Sequence, residues 1–180
     1  MRAAAFVTTF SSAPPVAVQN AGSRDAIVAD LFDQHASGLY RLALAMLHES
    51  DAAQDVVQDT FLKLIAHVDG GGALANARGW LYTVAAHGCR DRQRGFSRWL
   101  PWIAERDTRA AKESPDLHDG PDVVLAAVRT LPPRDRLLIA LRAQGLSYRE
   151  IGEAAGIRAT SVSQFLARAL DRLEQKVRPT

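Results

Sequence analysis

An all-α fold, with two small helical domains joined by a flexible linker, is what this sequence predicts. A three-to-four-helix bundle is expected first and a helix-turn-helix domain second. Three observations carry that expectation. Apolar residues recur at helical spacing through most of the 180 residues. Aromatic residues make up only 7% while Ala, Leu and Val are frequent, which suits helices packed closely on helices. The helix breakers also fall in clusters, at Gly70-Gly71-Gly72, Ser114-Pro115-Asp116, Asp119-Gly120-Pro121 and Leu131-Pro132-Pro133.

Taken in order, residues 1–22 read as a disordered leader. The Ala3–Val7 run is too short, and its Thr-, Ser- and Pro-rich sequel too polar, for a secretory segment. The first helix is expected over about Asp25–His48, with Ile27, Leu31, Phe32, Leu39, Leu42, Leu44 and Met46 as its apolar positions. A second runs from about Asp51 to Val68, capped by Ser50, with Val56, Val57, Phe61, Leu64 and Ile65 in one stripe. Three successive glycines end it, each costing a helix about 1 kcal/mol relative to Ala. A third starts near Asn76, carries Trp80, Leu81, Val84 and Ala85 on one face, and ends among Arg90, Arg92 and Arg94. These three make a domain over residues 23–96.

Residues 97–121 mix charges of both signs without a sustained apolar period and read as a linker, partly helical around Trp99, Leu100, Trp102 and Ile103. The second domain occupies residues 122–180. It opens with a helix through Val123, Val124, Leu125 and Val128, and continues with another over Arg134–Ala143 after the two prolines. A helix-turn-helix follows. Ser147 can cap its first helix and Glu150, three residues on, can complete a capping box. Gly156 supplies the positive φ of a sharp turn, and Gly152 lets the two helices approach. Thr160 then caps a second helix with Val162, Leu166, Ala169 and Leu173 inward. Its outer face offers Arg158, Thr160, Ser161, Ser163, Gln164 and Arg168 to the edges and phosphates of duplex DNA. Phe165 reads as an edge residue of the core, or as an apolar contact to thymine or a partner.

A formal net charge of +2 conceals opposed blocks. Arg24 to Asp69 holds three basic residues against eight acidic ones, whereas Val123 to the end holds ten basic against five acidic. Such a chain can meet a protein with one surface and a phosphate backbone with another. Asp55 and Asp59, four apart with Gln58 beside them, share one helix face and would by spacing alone be a solvated acidic face. No nucleophile or phosphate loop accompanies them, so no enzyme is expected. His35, His48, His67, His87 and His118 are scattered, and Cys89 lacks metal-ligand spacing, so neither metal nor cofactor is expected. The single cysteine excludes an internal disulfide and suits a reducing compartment. Cys89 reads as a packing residue, with neighbouring arginines that would make it oxidisable as the alternative. Nothing approaches a membrane span, so a cytoplasmic protein without membrane insertion is expected.

Together these segments resemble the extracytoplasmic-function group of bacterial RNA polymerase sigma factors. The resemblance rests on the run Asp51–Leu64, on Ala77-Arg78-Gly79-Trp80-Leu81 with Asp91-Arg92-Gln93-Arg94, on Leu131–Arg136, and on the helix-turn-helix, all in the family's order. It covers about Ile27 to Val177. It implies core RNA polymerase and promoter DNA as partners, with Asp55, Gln58 and Asp59 on the polymerase-docking face. The loop from Gly70 to Asn76 and the third helix would read the −10 element, through Asn76, Arg78, Trp80, His87, Arg90, Asp91 and Arg94. The last domain would read the −35 element, and the linker would thread toward the RNA exit path. An anti-sigma factor is a further partner the resemblance suggests. His87 stands where the family usually has Asn, Ser163 and Phe165 stand among positions often basic, and the triple glycine is expected to loosen the −10 loop. The competing reading is a stand-alone helix-turn-helix regulator whose N-terminal bundle dimerises or senses a signal.

Overall fold

The computed structural model describes residues 21–103 and 123–177, and every regular element among them is a helix. In chain order these are α1 (Ala21–Leu47), α2 (Ser50–Asp69), α3 (Ala77–Ile103), α4 (Val123–Arg129), α5 (Pro133–Ala143), α6 (Tyr148–Ala155) and α7 (Ala159–Val177).

Local chemistry sets most of the boundaries. α1 stops where His48 takes φ 64°, a left-handed turn residue without being glycine. The cap of α2 is one residue earlier than the sequence suggested: Glu49 is the extended cap residue and makes no side-chain cap bond. The Ser50 hydroxyl lies 3.1 Å from the Tyr40 hydroxyl instead. α2 closes on Gly70, whose amide donates to Ala66 O at 3.1 Å. Asn76 Oδ1 then accepts from the Gly79 amide at 2.9 Å and so caps α3. Pro133 occupies the first turn of α5, where its missing N–H costs nothing.

α1, α2 and α3 bury Leu39, Leu42, Met46, Val56, Leu64, Leu81 and Cys89 between them, and α4–α7 bury Leu138, Leu141, Leu146, Ile151, Val162 and Leu166. Each such aliphatic side chain contributes about 1.5–3 kcal/mol by leaving water. Thr60, buried inside the first group, returns its hydroxyl to Val56 O at 2.7 Å. The two helical clusters do not stand apart. α1 packs on α5 and α3 on α6, and the buried residues of both clusters form one connected core.

Two expectations shift. α1 begins at Ala21, inside the segment read as leader, while residues 1–20 lie outside the described residues. α3 continues to Ile103, past the expected domain end at residue 96; the helix around Trp99 is as expected, and residues 104–121 of the expected linker lie outside the described residues.

Candidate nucleic-acid interface

The helix-turn-helix is built as its sequence dictates. Ser147 is extended at the cap of α6, its Oγ accepts from the Glu150 amide at 3.3 Å, and Glu150 Oε2 accepts from the Ser147 amide at 2.8 Å. Burial pushes the Glu150 carboxyl up, but the Ser147 bonds, the Asn76 amide and the Arg78 charge outweigh it and hold it below its ordinary value. Gly156 ends α6 at φ 72°, ψ 35°. A Cβ on Gly152 would stand 2.9 Å from Ile157 O, so only glycine lets the turn close over α6.

α7 begins at Ala159, which puts Thr160 inside the helix and corrects its assignment as the cap. Val162, Leu166 and Ala169 are buried as expected. Arg158, Thr160, Ser163, Gln164 and Arg168 are exposed, and Ser161 is half-buried beside them. They form one polar strip facing water. Phe165 is half-buried against the core with the Arg134 guanidinium 4.2 Å above its ring, which bears out its reading as an edge residue.

Trp80 apart, the residues assigned to the −10 element divide into two groups. His87, Asp91 and Arg94 are exposed on α3. Asn76, Arg78 and Arg90 instead turn toward α6. Asn76 Nδ2 donates to Glu150 Oε1 at 3.2 Å, Arg78 donates to Gln144 O, and Arg90 donates to Ala154 O and to Ala155 O, the latter at 3.5 Å. Two guanidinium groups thus satisfy carbonyls in the turn before α6 and at its end, which otherwise need water. Although exposed, the His87 ring is held below its ordinary value by the partial desolvation of its helix side and by the Arg90 charge, against Asp91.

Trp80 is half-buried, and its ring stacks on His67 with centroids 5.0 Å apart and planes at 29°. His67 was not singled out from the sequence, yet it organises the glycine run. Its Nε2 donates to Ala73 O at 3.3 Å, and its own carbonyl accepts from the Gly72 amide at 2.8 Å. Gly71 takes φ 74° and bonds Val68 O at 3.0 Å. The loop expected to be loose is therefore tied back at several points.

On α2, Asp55 and Gln58 are exposed and Asp59 is half-buried. Arg92 of α3 bridges the two carboxylates, at 2.9 Å from Asp59 Oδ2 and 3.8 Å from Asp55 Oδ2. Arg92 is thus engaged within the protein. Gln58 also lines an apolar groove of about 730 Å³ between α1 and α2, with Phe32, Tyr40, Phe61, Leu62 and Ile65. Phe32 and Leu62 are 48% and 57% exposed there, unusual for large apolar residues beside an acidic face. Sequence reasoning missed this groove, although Leu62 falls off the inward stripe of α2.

Cys89 is fully buried, and burial pushes its thiol up to about 12 against the pull of Arg92 and Arg90. That overturns the oxidisable alternative. Among the described residues no group of three or more His, Cys, Asp or Glu could hold a metal, and no helix is long and apolar enough to cross a membrane.

Two family models match this chain, Sigma-70 region 2 over residues 31–100 and Sigma-70, region 4 over residues 122–173. The ECF RNA polymerase sigma factor SigL of Mycobacterium tuberculosis is 33% identical over 81% of this chain and 77% of its own length. The RNA polymerase sigma factor CarQ of Myxococcus xanthus is 31% identical over 76% of this chain and 80% of its own. In fold, the chain is similar to the sigma factor RpoE solved with the anti-sigma factor NepR from Bartonella quintana. The TM-score is 0.71 at 22% identity, covering 83% of this chain and 95% of that one.

Proposed function

The chain belongs to the extracytoplasmic-function group of RNA polymerase sigma factors, non-catalytic subunits that bind core polymerase and direct promoter recognition, and we propose how its surfaces divide that work. The polar strip of α7 reads the −35 element, with Arg158 and Arg168 on phosphates or guanine and Ser161, Ser163 and Gln164 on base edges. The Gly70–Asn76 loop and α3 read the −10 element and hold a base outside the stack as the strands open, with Arg94 toward the backbone, joined by Arg78 and Arg90 once they leave the carbonyls they hold here. Asp55, Gln58 and Asp59 dock on the polymerase, and the neighbouring apolar groove supplies buried area that an acidic face alone lacks. We place the protein in the cytoplasm with its polymerase, and infer an anti-sigma factor as a second partner from the complex that the similar RpoE forms.

The observation that carries this reading is the exposure of the acidic α2 face and the polar α7 strip on one chain matching both sigma regions. Promoter-specific transcription by core polymerase, appearing only when the protein is added, tests it. Asp55→Ala/Asp59→Ala is expected to abolish polymerase capture, and Arg168→Ala to weaken binding to promoter duplex evenly across sequences while lowering the salt slope by about 1. Tight palindrome binding by the protein alone, with no polymerase capture, would favour a stand-alone regulator.

A further inference from the structure

We propose that His67 is a positioning residue that sets the shape, and so the base selectivity, of the promoter-reading loop. This rests on the reading that the Gly70–Asn76 loop meets the −10 element. A loop holding an unstacked base must present one conformation, because a mobile one pays its ordering cost on every base and discriminates little. Three consecutive glycines alone would give the opposite, a chain with many accessible conformations. The His67 ring removes that freedom from two sides, and the main chain at that residue adds a third tie.

Its ring lies against the Trp80 indole at the start of α3, at 5.0 Å between centroids. Its Nε2–H reaches forward to Ala73 O at 3.3 Å, and its backbone carbonyl takes the Gly72 amide at 2.8 Å. Gly72 completes the fit, because a Cβ there would lie 2.3 Å from the imidazole. Gly72 does not have positive φ, so what its missing Cβ provides is room for the ring beneath it. His67 and Gly72 form one device, a flat side chain on the last turns of α2 over which the loop folds before turning into α3. The exposed residues Ala73 and Ala75 are the part so presented.

Transcription by the holoenzyme from a matched promoter, and from templates carrying single −10 substitutions, tests this. The readout is the ratio of matched to substituted output at saturating template. His67→Ala is expected to lower that ratio at one −10 position by about five-fold or more. Gly72→Ala, which displaces the ring from the opposite side, is expected to do the same, and His67→Phe, which keeps the stack, to restore most of it. A general decline on all templates with the ratio intact means His67 only supports the fold, and overturns the proposal. Ala73→Asp/Ala75→Asp serves as the separate check, placing negative charge on the exposed loop. If that pair abolishes promoter opening while His67→Ala and Gly72→Ala keep the wild-type ratio, the His67 role falls and the loop reading stands. If all three leave transcription and ratio unchanged, both fall.

Discussion

Cys89 shows how one residue can invite opposite readings. In sequence it is followed by Arg90 and Arg92, cations that would activate a thiol. In space it is fully buried, and burial raises the thiol to about 12 despite them. It should therefore resist iodoacetamide at pH 8 in the native state and react at the rate of unfolding, measured by mass spectrometry. The sign is fixed by the raised value. Its contribution to stability is complete below the ordinary thiol range near 9 and drains as pH rises toward 12. Asp55 and Asp59 carry a different lesson. Their spacing said only that they share a face, and Arg92 across it was legible as a cation but not as their partner. Because these carboxylates stay about half or more in water, Arg92→Ala should cost under about 1 kcal/mol in chemical denaturation. Polymerase capture should strengthen as the carboxylates are released from the bridge, as titration of labelled protein with core polymerase would show. Weaker capture would mean that Arg92 itself belongs to the docking face.

Among the elements, the helix-turn-helix was the most legible because all its determinants are local. A capping box spans three residues, a left-handed glycine needs only itself, and the inward positions of α7 follow from its period. The cap assigned to Ser50 failed for a related reason, whereas Thr160 simply falls inside α7, which begins at Ala159. A hydroxyl beside a helix start has competing partners, and Tyr40 takes the one on Ser50 from ten residues away. The close approach at Gly152 gives a sharp expectation. Gly152→Ala puts a methyl 2.9 Å from Ile157 O, a backbone atom that cannot rotate away. Overpacking of this kind costs about 1–3 kcal/mol, whereas Ser147→Ala loses about 1 kcal/mol of capping. Urea midpoints at unchanged slope would measure both. Equal losses would mean the turn relaxes around the methyl.

At the scale of the whole molecule, the contacts joining the two clusters were invisible in sequence. Most of their acceptors are backbone carbonyls, which every residue has, and their partners lie far apart along the chain. Arg78 and Arg90 reach Gln144 O and Ala154 O, and Arg136 reaches Met46 O at 3.3 Å and the His48 ring. In this arrangement Asn76, Arg78 and Arg90 face α6 rather than water, so on the proposed reading the clusters must part before these three meet the −10 element. Arg136 is the place to test the clasp, since it is buried and distant from those three. Arg136→Met should raise hydrogen exchange in α1, α5, α3 and α6 together, while the internal amides of α2 stay protected. Faster exchange confined to α1 and α5 would mean the two contacts open independently. Acid should push the same way. Burial, then Arg136 and Arg129, lower His48 to about 4, and the carboxylates of Glu49, Asp51 and Asp55 in the same cleft, with Arg92, do not reverse it. A docked value below the ordinary 6.5 means the clasp is fully supported above pH 6.5 and weakens as pH falls toward 4, because the parted form binds the proton. Exchange at α6 should therefore rise between pH 7 and pH 5, after correction for the intrinsic rate. His48→Gln should flatten that dependence, and an unchanged slope in that variant would assign the opening to other groups.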